Sequence, residues 1–135
     1  MRFTTSRRPS PGTRRLARIL ASFLGAGYMT RGKSGLDDEE VWMVVVEGHG
    51  NPMGLARRHC GEEKVLRFAL SVEGESKRLK MNRSVVVGTG KAARDLAEFF
   101  GLDWASEGAA ERVIRVGDGR IDFVDGEDLI LRLNI

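Results

Sequence analysis

Leu16, Ile19, Leu20, Phe23 and Leu24 recur at three- and four-residue spacing, which places them along one side of an α-helix. At helical geometry the five fall within an arc of about 140°, the width of a core-facing stripe. Ser10 is a capping residue type and Pro11 suits the first helical position, so the pattern predicts a helix from there to a stop at Gly25. Ala93, Leu96, Ala97 and Phe100 predict a second helix that starts at Thr89 or Gly90 and ends at Gly101. Strands are predicted at 3–6, 28–30, 41–47 and 84–87. In 66–73, Leu66, Phe68, Leu70 and Val72 alternate with Arg67, Ala69, Ser71 and Glu73, the pattern of one half-buried strand. Residues 112–116 and 121–124 flank Asp118-Gly119 as a hairpin, and Leu129, Leu131, Leu133 and Ile135 alternate in a last strand. A short acidic helix is expected at 36–40 and a loop at 48–52.

Strands interleaved with amphipathic helices predict an α/β fold, with helices packed on sheet. A chain of 135 residues is one domain's worth and buries about two thirds of its unfolded surface. The domain is expected to span 1–135, with an N-terminal half of about 1–83 and a smaller C-terminal α/β half of about 84–135. No apolar run reaches the length of a membrane span, and the longest, at 41–46, falls far short. The N-terminus carries arginines and prolines where a secretory signal would be apolar, and Cys60 has no cysteine to pair with. A cytoplasmic location is expected.

Charge changes the picture more than composition does. The net charge is only +3, yet residues 1–36 hold Arg2, Arg7, Arg8, Arg14, Arg15, Arg18, Arg31 and Lys33 and no Asp or Glu. The remainder carries 14 Lys and Arg against all 19 Asp and Glu. That asymmetry points to a polyanion-binding end on an otherwise acidic body. In the first helix Arg14 and Arg18 lie opposite the apolar stripe and one turn apart, a like-charge pair that costs a few tenths of a kcal/mol, on the order of 0.2–0.5, unless an anion relieves it. The second helix balances itself, with Lys91 four residues before Asp95 and Arg94 four before Glu98. Arginine's planar fork suits phosphate, and an acidic protein surface is the alternative partner.

Other motifs carry less. The segment Val85-Val86-Val87-Gly88-Thr89-Gly90-Lys91 reads as strand, glycine turn and helix, but Val85 and Ala92 stand where a phosphate-binding loop needs glycine and a hydroxyl. His49, His59 and Cys60 are too few and poorly spaced for zinc. No carboxylate pair or triad stands out, so no catalytic residue, metal or cofactor is expected. Arg57 and Arg58, and Lys77, Arg78, Lys80 and Arg83, lie near Glu62, Glu63, Glu73 and Glu75 and read more readily as solvated surface. Trp42 begins an apolar run and reads as core; Trp104, just past a helix end, reads as either core or a base-stacking surface.

Thr4-Thr5-Ser6-Arg7-Arg8-Pro9-Ser10-Pro11-Gly12-Thr13-Arg14, continued by Arg31-Gly32-Lys33, resembles the opening of Brix domains, where a T-S-R-x-P-S segment caps a basic helix and R-G-K follows the next strand. Asn51-Pro52 with Gly54-Leu55, after the Val44-Val45-Val46 strand, resembles the family's next block. The resemblance covers residues 1 to about 73 well and the rest more weakly. It resembles the minimal archaeal type, without long charged extensions. It implies two similar α/β halves, each like the anticodon-binding domain of class II aminoacyl-tRNA synthetases, and a part in ribosomal RNA maturation and subunit assembly. Gly126-Glu127-Asp128 stands where family members often carry Gly-Pro-Arg, so a contact made there is not carried over. The resulting expectation is a non-catalytic factor that binds ribosomal RNA or its precursor through Arg7, Arg8, Arg14, Arg15, Arg18, Arg31 and Lys33. The alternative is a module that docks this basic face on an acidic ribosomal or assembly protein.

Overall fold

The computed structural model describes residues 1–32, 35–74 and 79–135, and these form two compact units. The first comprises residues 1–69 with Leu79, and the second residues 70–74 with 80–135.

In the first unit, β1 (Arg2–Thr5) leads through a turn into α1 (Pro11–Leu24), which returns the chain to β2 (Gly27–Tyr28). Then β3 (Trp42–Gly48), β4 (Asn51–His59) and β5 (Glu62–Arg67) follow as a meander. The sheet order is β2-β1-β3-β4-β5, with β1 parallel to both neighbours and the later pairs antiparallel. α1 forms where the stripe predicts it. Ser10 caps it, and Gly25 ends it in the left-handed conformation with amide bonds back to Ala21 and Ser22. Its buried Leu16, Leu20 and Phe23 lie on one face of the sheet, where the register pairs Phe3 with Met43 and Val45 with Leu55. The alternate residues Trp42, Val44 and Ala56 pack with Leu36 and Val46 as a separate cluster.

The second unit repeats the plan. β7 (Ser84–Val87), α2 (Lys91–Phe100), β8 (Trp104–Ala105), β9 (Arg112–Gly117), β10 (Arg120–Asp125) and β11 (Asp128–Asn134) occupy the order β8-β7-β9-β10-β11. β7 is parallel to β8 and β9, and the rest is antiparallel. An extra strand, β6 (Ala69–Glu73), lies at the edge beyond β11. Phe100 meets Phe123 edge to face at 6.1 Å between ring centroids. Val85, Val87 and Val113 form the cluster of alternate residues. The fully buried Arg112 is held by Asp125 and by the Lys80 carbonyl, to which Nη2 donates at 2.7 Å.

Four expectations are corrected. Residues 36–40 form no helix: the Asp37 carboxylate accepts from the Glu39 amide, and so short an acidic segment cannot repay helix nucleation. The expected loop at 48–52 is a two-residue turn, with His49 and Gly50 both at positive φ, and β4 starts at once at Asn51. The single strand at 66–73 is two, because the chain leaves one sheet at the buried Phe68 and enters the other. The second unit therefore takes residues 70–74 in addition to its main stretch, 80–135. Trp104–Ala105, not read as a strand, pairs with β7.

Candidate nucleic-acid interface

β1 has a parallel neighbour on each side, so its carboxyl end is a switch point of the sheet, the place where open α/β sheets hold ligands. Ser6, Arg7, Arg8, Pro9 and Ser10 form the turn there, with Arg8 at a φ of 55°. Arg7 and Arg8 are exposed. The helix end beside them is already occupied. Glu47, at the end of β3, accepts from the Ser10 amide at 3.1 Å, the Ser10 hydroxyl at 2.9 Å and the Thr13 hydroxyl at 2.6 Å. These bonds, led by that from Thr13, hold the Glu47 carboxyl below the usual carboxylate range. An anion thus sits where the α1 dipole favours one, and a phosphate would have to bind on the arginines around it.

Arg14, Arg15 and Arg18 are all exposed on α1. Arg18 stacks over the Tyr28 ring at 5.2 Å, so β2 supplies a platform that keeps its guanidinium flat on the surface. Arg15 folds back along the first turn, with a terminal nitrogen 3.9 Å from where a Cβ on Gly12 would stand.

Arg31 differs. It is half-buried and donates a long bond, 3.5 Å, to the Thr5 carbonyl at the end of β1, while its Nε is buried without an acceptor. Burial, then repulsion from Arg58 and from Arg7, lowers its affinity for its proton. The guanidinium remains charged, since arginine starts so high. Arg7 and Arg58 are therefore near enough for their charge to act on Arg31, and Arg58 also pairs with Glu63 at 2.7 Å. Arg58 was set aside in the sequence because of nearby acids; the fold carries it to Arg31 by pairing β4 with β3. Arg31 and Arg58 also line a cleft of about 250 Å³ with Trp42, Asp37 and Asp38. Lys33 lies outside the described residues. Among the described residues no group of three His, Cys, Asp or Glu side chains converges as a metal site. No described helix is long and apolar enough to cross a membrane.

No family model matches the chain. A probable Brix domain-containing ribosomal biogenesis protein of Archaeoglobus fulgidus is 33% identical, over 98% of this chain and 92% of the relative. The chain belongs to the Brix-domain family. Brix proteins of the same description from Methanosarcina mazei and Methanococcoides burtonii are 31% and 30% identical across the whole chain. Among solved structures, Mil (Mth680), an archaeal Imp4-like protein, is similar with a TM-score of 0.79 and 28% identity, covering 100% of this chain and 96% of Mil. A probable ribosomal biogenesis protein from Aeropyrum pernix K1 shares the fold with a TM-score of 0.63. The mixed α/β architecture, with two sheets and two helices among the described residues, is thus a Brix fold of the Imp4-like kind, and the relatives carry ribosome biogenesis in their names.

Proposed function

We propose that this Brix protein acts in the cytoplasm, without catalysis, as an RNA-binding factor of ribosome biogenesis. Its ligand is ribosomal RNA or its precursor, held on the surface of Arg7, Arg8, Arg14, Arg15, Arg18 and Arg31, with Lys33 expected to join them. The observation that carries the reading is the half-buried Arg31: its Nε has no acceptor, and it opens with Arg58 onto one cleft, while the helix end nearby is already neutralised by Glu47. A phosphate supplies the missing acceptor, and released counterions add to the binding. The twice-used β-α-β-β-β-β order also supports the likeness of each half to the anticodon-binding domain of class II aminoacyl-tRNA synthetases, itself an RNA-binding module.

Fluorescence anisotropy of a labelled single-stranded ribosomal RNA fragment, titrated across salt concentrations, tests this. Affinity should fall with salt by a slope of about −0.7 per phosphate contacted. Arg8→Ala, Arg14→Ala, Arg18→Ala and Arg31→Ala together should weaken binding and flatten the slope by roughly 3. An unchanged slope would remove this face from the RNA surface. Partners that co-purify after ribonuclease treatment, and are lost with the same substitutions, would turn the reading towards an acidic assembly protein.

A further inference from the structure

The second unit has its own switch point, at the carboxyl end of β7, which runs parallel to β8 on one side and β9 on the other. There the chain brings together two features that lie apart in sequence, the Gly88-Thr89-Gly90 turn and Trp104. They line an open crevice of about 450 Å³ with Ala105, Ser106 and Glu107, in the size range of small-molecule sites. Trp104 is 48% exposed, although its indole N–H is satisfied by a 2.9 Å bond to the Gly88 carbonyl. The polar edge of the ring is therefore anchored and its apolar face is what meets water. The residue before Trp104 is tied to β7 by the bond from the Val86 amide to the Asp103 carbonyl and to Arg83 by an ion pair. Gly88 lies so close to β9 that a Cβ there would stand 2.7 Å from the Val116 carbonyl, so the turn runs flat against the sheet end.

The charge around the ring is balanced and does not repel an anionic strand. Glu107 is engaged by Arg115 and adds no net negative charge. The first turn of α2 has no acid, Lys91 opens it, and Gly90 caps it without a side-chain hydrogen bond. The equivalent place in the first unit is filled by Glu47. A fixed aromatic face in a crevice beside a helix start that has no side-chain cap fits a planar base of a nucleic-acid strand. We propose that Trp104 and the Gly88-Thr89-Gly90 turn form a stacking site for one unpaired base of the bound RNA, a second contact that the arginine surface does not provide. The inference rests on the RNA-binding reading above. It is sequence-tolerant in character, since every base offers a π-face.

The test uses the full chain and three probes: a single-stranded RNA of about a dozen nucleotides, an abasic strand with the same phosphates, and adenosine monophosphate. Trp104→Ala should lower affinity for the RNA on the order of tenfold, with an unchanged salt slope, and Trp104→Phe should restore most of it. Wild type should bind the abasic strand about as weakly as Trp104→Ala binds the RNA. RNA should quench tryptophan emission in wild type and not in Trp104→Phe, because Trp42 is only 4% exposed. If Trp104→Ala binds normally while the fourfold arginine variant loses affinity, the stacking site is wrong and the arginine surface stands. If the arginine variant binds normally while Trp104→Ala loses affinity, the reverse holds. Saturable quenching by adenosine monophosphate at lower concentration than RNA would overturn the assignment to an RNA base in favour of a free nucleotide.

Discussion

The two units share a strand order and differ at the place where each could hold a ligand. In both, a strand with a parallel neighbour on each side runs into a turn and a helix, and the helix ends at a left-handed glycine, Gly25 or Gly101. In the first unit the helix start is closed by Ser10, Thr13 and Glu47, and the surface around it is arginine. In the second the helix start is glycine, nothing of the side chains caps it, and an indole ring lies beside it. Charge balance differs in the same sense, for α2 carries Asp95 and Glu98 beside Lys91 and Arg94 while α1 carries no acid. Repeated topology places two turns in equivalent positions, but the side chains surround one with arginines and set an exposed indole beside the other.

The comparison assumes that each unit owns a core, and the largest expected effect tests that. Phe123 is fully buried against Phe100 in the second unit, and Phe123→Ala should cost about 3–5 kcal/mol. Amide exchange should show β7, β9, β10 and β11 losing protection first while β1, β3 and β4 keep theirs. Uniform loss across both sheets would show one cooperative unit instead. Next in size is a contrast of charges: the fourfold arginine variant in the first unit should lose RNA affinity on the order of a hundredfold. Lys91→Ala with Arg94→Ala in the second should cost far less in the same titration, because Asp95 and Glu98 already offset that helix. Equal losses would erase the distinction between the units.

Acid should act on both units through different carboxylates. Asp122, nearly buried in β10, accepts from Arg132 at 2.7 and 3.1 Å, and this fork, helped by Arg120 and Arg115, holds its carboxyl below the usual range. Its contribution is present above the unfolded value of about 3.9 and is lost as pH falls through the lower folded value. Asp122→Asn should cost about 1–3 kcal/mol at pH 7 and make the melting temperature fall less steeply below pH 4. A variant as acid-sensitive as wild type would assign the acid dependence elsewhere, Glu47 being the first candidate.

What the sequence conveyed depended on how local the physics was. α1 and α2 were legible because their stripes repeat within a turn and their caps adjoin them. β4 was not, because Asn51, Pro52 and Gly54 discourage a strand locally; it forms because Gly54 fits where a side chain would crowd Val46 and the Leu66 carbonyl. The split at Phe68 was hidden by an alternation that continues through it. At the site, the arginine cluster could be read from charge alone. Arg58 joining Arg31 could not, nor could Trp104 meeting Gly88, since strand pairing brings each pair together.

Glu47 is the sharpest instance, and it supplies the smallest and most diagnostic effect. Its partners Ser10 and Thr13 are 37 and 34 residues away, so nothing in the local pattern marks it as a cap. Glu47→Ala removes the acceptor of three bonds at the start of α1, which should cost about 1–2 kcal/mol, as lost caps do. The same substitution takes a negative charge from the arginine turn and leaves the helix start open to a phosphate. Stability and RNA affinity should therefore move in opposite directions: a lower melting temperature by calorimetry and a severalfold tighter complex by anisotropy. If both fall together, Glu47 holds the turn in its binding shape, and the closed helix end of the first unit serves the RNA surface by positioning it. If affinity rises, the carboxylate occupies a place that RNA can take, and its loss leaves the helix start of the first unit without a side-chain anion, as that of the second already is.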